Sequence, residues 1–412
     1  MKSINEPVSL KDRAQSLDVL RGVAVLGILA MNIRLFGMPQ AAYFNPQAYG
    51  DLTGINQLWF WFTNLFADQK FMTLFSMMFG AGIALMSERC AAKGLPSTGL
   101  LLRRNFWLLV LGLMHAYLIW FGDILVAYAL AGFVLMFCRN WKPLTQLITG
   151  LLFLCVPSAL FLTAGMTWEL WPPEEQAAAL VDWAPGAEVL AKELATYRGG
   201  WMEQLSHRIP TAIEFQTVVF AFFGFWRAGG LMLIGMALFS WGYFTAERSP
   251  ASFRRLALVC IVLALPAIAL GIVMNEQSGW AYAEAFFIHG QLNYWGSFIL
   301  ALGYLGLVML WCLGDRGPKL KARFAAVGRM AFSNYIAQSL ICTLIFYGHG
   351  LGAFGHLERW QLALIVFGVW ALQLWWSPWW LARYRFGPME WLWRCLSYWR
   401  VQPFRRPAPA TP

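Results

Sequence analysis

The chain has 412 residues, of which 59% are hydrophobic, 17% aromatic and only 13% charged, with a mean hydropathy of +0.53. Soluble domains carry about 25% charged residues, so this composition excludes a fully solvated globular surface and points to an integral membrane protein of several helices, each needing about 20 mostly apolar residues. The net charge of +10 then belongs to basic cytoplasmic loops; no Lys/Arg run is long enough for a DNA or RNA surface, and no nucleic-acid partner is expected.

In chain order, the apolar runs predict an all-α, polytopic transmembrane helix bundle of about ten spans: 17–37, 55–88, 104–121, 123–138, 143–166, 215–246, 252–274, 291–313, 324–347 and 360–382. The first, "SLDVLRGVAVLGILAMNI", is too long and too charged at its start for a cleaved signal peptide. On a helix Asp18, Arg21 and Asn32 share one face, and Gly22, Ala24, Gly27 and Ala30 keep the helix slim enough to pack closely. The second run is longer than one crossing needs and is interrupted by Asp68-Gln69-Lys70, which predicts two segments. The third carries His115 in its middle and Asp123 at its outer turn. Segment 167–214 is the longest outer loop; its "GAEVLAKELATYRGGWMEQL" has helical apolar spacing and reads as an amphipathic helix on the outer surface or over an outer cavity. The sixth run holds Arg227 and a Gly229-Gly230 pair where a tilt or kink is expected. The ninth carries Arg329, Asn334, Tyr335 and Gln338, with Asn334 and Gln338 four apart on one face. The tail, 383–412, mixes Trp and Arg as an inner interfacial segment does. The whole chain reads as one integral membrane domain.

Charge asymmetry orients this map. With the amino terminus in the cytoplasm, twenty-two of the thirty-one Lys/Arg residues fall in inner segments and four in outer ones, which predicts both termini inside. The seven cysteines are scattered and never spaced C-x-x-C, so neither a disulfide framework nor a metal centre is expected.

Ionisable and amide groups inside hydrocarbon need partners, because a lipid-facing Asp or Arg costs about 2.5–3.5 kcal/mol on insertion scales. Asp18, Arg21, Asn32, Asp68, His115, Asp123, Arg227, Asn334, Tyr335 and Gln338 are therefore expected to turn inward, around a shared polar cavity. Each also has a packing reading: an Asp18–Arg21 clasp at the cytoplasmic edge, a hydrogen-bonded core His115, and Asn334 and Gln338 satisfying one another.

The stretches "SLDVLRGVAVLGILAMNI", "KFMTLFSMMFGAGIAL", "RRNFWLLVLGLMHAYLIWFGDILVAYAL", "GLMLIGMALF", "GRMAFSNYIAQSLICTLIFYGHGLG" and "RFGPMEWLWRCLSY", in this order, resemble the YeiB-like family of bacterial inner-membrane proteins, a domain of unknown function. The first three spans are also distantly similar to membrane acyltransferases of the heparan-alpha-glucosaminide N-acetyltransferase type. That resemblance rests on the L-D-x-x-R-G-x-A opening span with its terminal Asn, matched by Asp18, Arg21, Gly22 and Asn32, and on Asn334 near the end of the fold. It implies transfer of an acyl group from cytoplasmic acyl-CoA, with no metal, to a small-molecule, glycan or lipid acceptor on the far side. Those enzymes use a histidine in the loop after the first span. Here 38–54 has none, and Gln338 stands where they carry a second histidine. His115 is the substitute base this sequence offers, with Asp123 or Asp68 to orient it, and Asn32 or Asn334 to stabilise an oxyanion. Asp18, Arg21, Asn32, Arg227, Asn334, Tyr335 and Gln338 are expected to bind substrate. A transporter or flippase for a small organic or lipidic substrate, and a non-catalytic scaffold, are the alternative readings. Membrane lipid, and a second copy of the chain, are compatible partners.

Overall fold

The computed structural model describes residues 10–406, with side-chain surroundings from residue 15 onward. Lys2 of the amino-terminal basic cluster and positions 407–412 of the tail lie outside the described residues, as do the side chains of Lys11 and Arg13. Helices account for every regular element among the described residues, apart from one isolated bridge between Tyr384 and Arg405. In chain order they are α1 (Leu10–Gly37), α2 (Ala41–Phe44), α3 (Gly54–Phe66), α4 (Lys70–Ala91), α5 (Thr98–Leu118), α6 (Leu125–Leu135), α7 (Pro143–Met166), α8 (Pro173–Trp183), α9 (Ala187–Arg198), α10 (Leu205–Glu214), α11 (Phe225–Ser240), α12 (Pro250–Gln277), α13 (Gly290–Leu313), α14 (Pro318–Arg329), α15 (Ala331–Phe346), α16 (Arg359–Arg383) and α17 (Pro388–Tyr398). Five of these begin on proline, whose missing N–H and fixed φ suit the first helical turn: α7, α8, α12, α14 and α17.

Seven continuous segments are long and apolar enough to cross a membrane: Gln15–Gly37, Gly54–Ala91, Pro143–Met166, Leu205–Ser240, Pro250–Gln277, Ala283–Leu313 and Arg359–Arg383. Leu125–Asn140 and Ala331–Phe346 are apolar but shorter. Leu258, Val262 and Leu263 of α12, and Leu364, Phe367 and Trp375 of α16, stand exposed on the outside of the bundle. An apolar rind of this kind suits lipid and not water.

Close backbone contact at glycine holds the bundle centre together. A Cβ on Gly80 of α4 would sit 1.9 Å from the Met232 carbonyl oxygen, and one on Gly235 of α11 would sit 1.9 Å from that of Met77. Gly22 of α1 and Gly328 of α14 meet in the same way, against the Phe324 and Asp18 carbonyls. Small residues that let helix backbones touch are the usual means of association where lipid removes the hydrophobic drive.

Four irregularities shape the interior. The second predicted run breaks where expected: α3 ends at Phe66, Gln69 takes φ +63°, and α4 starts at Lys70. The sixth does not kink at Gly229-Gly230. That pair lies inside regular α11, where Gly230 admits α7 at close range, and the distortion is a widened stretch at Phe215–Gly224 between α10 and α11. The ninth is two helices broken at Met330. The break is held by Glu390 of α17, whose carboxylate accepts the N–H of Phe332 at 2.7 Å and of Ser333 at 3.1 Å, and the Ser333 hydroxyl at 2.5 Å. The tail is thus docked into the bundle, and Trp393 Nε1 also donates to the Arg104 carbonyl at 2.9 Å. Segment 167–214 folds onto the protein as α8, α9 and α10, with α9 in the stretch expected to be helical. Tyr197 stacks on Phe354 with centroids 4.5 Å apart, while Trp201 Nε1 and Arg208 donate to the Leu118 carbonyl at 2.8 and 2.9 Å. α9 and α10 thereby cap the turn between α5 and α6.

Candidate active site

Beneath that cap, three elements converge on His115. The ring leaves α5 one turn from its end and is buried. Its Nδ1 lies 2.7 Å from Asp123 Oδ2, and its Nε2 lies 2.9 Å from the Ser339 hydroxyl of α15. Asp123 sits in the 119–124 turn, and its second oxygen accepts the Val126 N–H at 2.8 Å. That bond fixes the carboxylate against the start of α6. A carboxylate can only accept, so Nδ1 carries the proton and Nε2 presents its lone pair to Ser339. Tyr335 packs its ring 5.2 Å from the imidazole and accepts the Ile124 N–H at 3.4 Å.

A cavity of about 150 Å³ opens beside this group. Asp123, Ser76, Phe121, Phe220, Phe223 and Arg227 are among its walls, so the widened Phe215–Gly224 stretch forms one side. Arg227 is fully buried. It donates to Ser297 Oγ at 2.7 Å and Thr73 Oγ1 at 3.3 Å, lies over the Tyr294 ring at 4.2 Å, and leaves its Nε without a partner. No carboxylate pairs with it among the described residues. Asp123 and Arg227 are therefore the two sequence-predicted residues that share this cavity.

The remaining predicted residues fall into separate groups. Asp68 does not reach His115. It accepts Tyr43 at 2.9 Å and Asn293 at 2.9 Å, and faces Arg34 at 3.7 Å, while the buried Lys70 donates to Asn293 and to the Asn64 carbonyl. The break before α4 turns this cluster toward α1 and α13 and away from α5. Asn334 and Gln338 also stay out of the cavity. Asn334 binds the Val327 carbonyl, Ser377 and Trp376, and Gln338 binds the Val25 carbonyl and Gln373, so Asn334 ties α15 to α14 and α16 while Gln338 ties it to α1 and α16. They face α16 because Ser339, the next residue round the helix, faces α5. Asp18 and Arg21 pair at 3.2 Å, on the clasp geometry. Asn32 makes no hydrogen bond within the described residues and keeps 8% of its surface. One turn further along its face, Phe36 stacks on Trp120 at 4.0 Å, so the stripe leans toward the end of α5. The single shared chamber expected from the sequence is thus a set of distinct polar clusters, because most of these groups found partners of their own, Asn32 and the Arg227 Nε excepted.

Comparison with known proteins places the chain. It is 34% identical to the uncharacterized protein YeiB of Escherichia coli (strain K12) over 390 residues, spanning 94% of this chain and 96% of that protein. It is 31% identical to the uncharacterized protein YxaH of Bacillus subtilis (strain 168), spanning 97% of this chain and 98% of that one. The chain belongs to the YeiB-like family. A family model described as a protein of unknown function (DUF418) matches residues 238–400. Within this YeiB-like chain, that segment supplies Ser339 and the Glu390 latch, while His115 and Asp123 lie before it.

Ser339, Arg34, Asn293 and Glu390 went unmarked in the sequence. A serine in an apolar helix ordinarily bonds its own backbone and carries no signal. Arg34 sits near the end of the first run, where cations are common. Glu390 was the readable one: it is the lone acid in an amphipathic Trp/Arg tail.

Proposed function

We propose that this protein is an acyltransferase of the bacterial inner membrane, with ten crossings and both termini in the cytoplasm. It moves an acyl group, acetyl in the first instance, from cytoplasmic acyl-CoA to a hydroxyl or amine acceptor at the outer side. Seven segments long and apolar enough to cross support this count, with α5, the Leu125–Asn140 helix and the α14–α15 pair as the further crossings of the proposal. The twenty-two to four distribution of basic residues supports the orientation.

The observation that carries the reading is the His115 imidazole, fixed by Asp123 at Nδ1 with its Nε2 lone pair turned toward a hydroxyl, that of Ser339. This is the arrangement general-base catalysis of acyl transfer requires. Arg227, a buried cation without an acid, would hold a negatively charged part of a substrate in the adjoining cavity. Asn32, the predicted amide left unengaged, would donate to the developing oxyanion. Arg21, 30% exposed at the inner end of α1, would meet the phosphates of the donor.

Purified protein, labelled acetyl-CoA and a panel of hydroxyl and amine acceptors test this. Transfer is expected from the wild type, with a loss of about 10²–10⁴-fold in His115→Ala of unchanged melting behaviour. Undiminished transfer by folded His115→Ala removes it as the base. A protein that leaves acetyl-CoA intact while moving solute across vesicles is a transporter.

A further inference from the structure

We infer that Ser339 is a nucleophile that carries the acyl group as a covalent ester, making transfer a two-step reaction; this rests on the acyltransferase reading above.

The first support is the direction of the Ser339 hydroxyl. Several hydroxyls inside the helices donate to the carbonyl four residues back: Thr73 to Gln69 at 2.8 Å, Ser76 to Met72 at 2.9 Å, Ser87 to Ile83 at 3.0 Å, and Ser397 to Trp393 at 2.6 Å, whereas Ser158 turns across to the Gln291 amide oxygen at 2.7 Å. That bond is the default for serine and threonine in an apolar helix. In Ser339 the corresponding distance, to the Tyr335 carbonyl, is stretched to 3.5 Å, while His115 Nε2 lies at 2.9 Å. The hydroxyl has turned from its own helix to the imidazole.

The second support is the rest of the relay. The Nδ1 proton is committed to Asp123, and Asp123 is committed to Val126, so Nε2 has only its lone pair to offer. Ser339 Oγ–H therefore points along the line of proton transfer. A hydroxyl, an imidazole and a carboxylate in hydrogen-bonded series, from three separate elements, is the geometry that activates a serine. What sets Ser339 apart from Ser158, which donates to an amide oxygen, is that its acceptor is an imidazole whose other nitrogen is held by a carboxylate.

In the first step Oγ attacks the thioester carbonyl of acyl-CoA and its proton passes to Nε2. The C–Oγ bond forms, the C–S bond breaks, and the sulfur leaves with the electron pair and takes the proton, giving acyl-Ser339 and free CoA thiol. In the second step the acceptor oxygen or nitrogen gives its proton to Nε2 and bonds the acyl carbon. The C–Oγ bond then breaks and Oγ recovers the proton. Atoms and charge balance in both steps with no further reactant.

The test incubates full-length protein with isotopically labelled acetyl-CoA and no acceptor, followed by acid quench, digestion and mass spectrometry. Labelled acetyl on Ser339 is expected, with a burst of about one CoA thiol per chain. Ser339→Ala is expected to lose adduct and burst and to slow transfer at least about 100-fold. Ser339→Cys should still form an adduct, as a thioester, which a merely structural hydroxyl would not do. A fluorophosphonate probe, which needs no acyl donor, should also mark Ser339. If the wild type transfers acetyl with no adduct at Ser339, and Ser339→Ala turns over normally, the nucleophile is overturned and the acyltransferase reading stands. If the probe marks Ser339 but acetyl-CoA is never consumed, the nucleophile stands and the acyl-CoA donor falls. If neither labels Ser339 nor consumes acetyl-CoA, both fall.

Discussion

At the scale of single residues, which imidazole nitrogen carries the proton decides what the site can do, and Asp123 sets it. Its two oxygens are divided between His115 Nδ1 at 2.7 Å and the Val126 N–H at 2.8 Å. Asp123→Asn keeps the shape but replaces one acceptor with a donor. The amide oxygen stays with Val126, and the amide N–H then faces Nδ1, which must become the acceptor. The proton moves to Nε2, and the lone pair that faces Ser339 is lost. Acyl transfer is expected to fall by about 10²–10⁴-fold while the melting temperature changes little. A variant as active as the wild type would mean that the tautomer is irrelevant and His115 is not the base. How much of this was legible follows from the chemistry. His115 and Asp123 stood out because an ionisable group in an apolar run demands a partner. Ser339 did not, because a helical serine satisfies itself locally. Asp68 was paired with the wrong group because the backbone turn at Gln69, where φ is +63°, redirects its carboxylate toward Tyr43 and Asn293.

Among elements, the contact between α4 and α11 has the least slack. Gly80 and Gly235 face each other's helix backbones, so an added methyl meets a carbonyl oxygen at 1.9 Å with no flexible side chain to yield. Gly82, two residues on in α4, has nothing within 4 Å of where its Cβ would lie. The two positions make an internal control, since the loss of backbone freedom and the gain in helix propensity are the same for both. Gly80→Ala is expected to cost about 3 kcal/mol or more through overpacking, read as a lower midpoint of thermal unfolding in detergent or as lost expression. Gly82→Ala should leave the midpoint unchanged or raise it slightly. Equal midpoints for the two variants would show that these backbones do not touch. Because α4 carries Thr73 and Ser76 and α11 carries Arg227, the same crossing sets the width of the cavity beside Asp123.

Over the whole molecule, the helical runs were legible because hydropathy is a local property of the chain. The breaks were legible only where their cause is also local. Asp68-Gln69-Lys70 announces its own interruption, whereas the break at Met330 depends on Glu390, some sixty residues further along, and the cap depends on Tyr197 finding Phe354. Several long-range bonds join the cap to the body, and one of them titrates. The Glu193 carboxylate of α9 accepts the Gln40 N–H, at the turn between α1 and α2, at 2.9 Å. Burial pushes that carboxyl up from 4.5 to about 7, against the lowering effect of the Gln40 bond. The folded state thus holds a proton that the unfolded chain gives up at lower pH. The resulting stability is complete below about pH 4.5, declines as pH rises from there, and is gone above about pH 7. Glu193→Gln stays neutral and keeps an oxygen for Gln40, so it removes the titration without removing the bond. The wild type should therefore lose more thermal stability than Glu193→Gln between pH 5 and pH 8, and protease cleavage within 184–204 should accelerate over the same interval in the wild type alone. Parallel pH profiles for the two proteins would show that Glu193 ionises freely and that the cap is held by its aromatic contacts without this carboxyl.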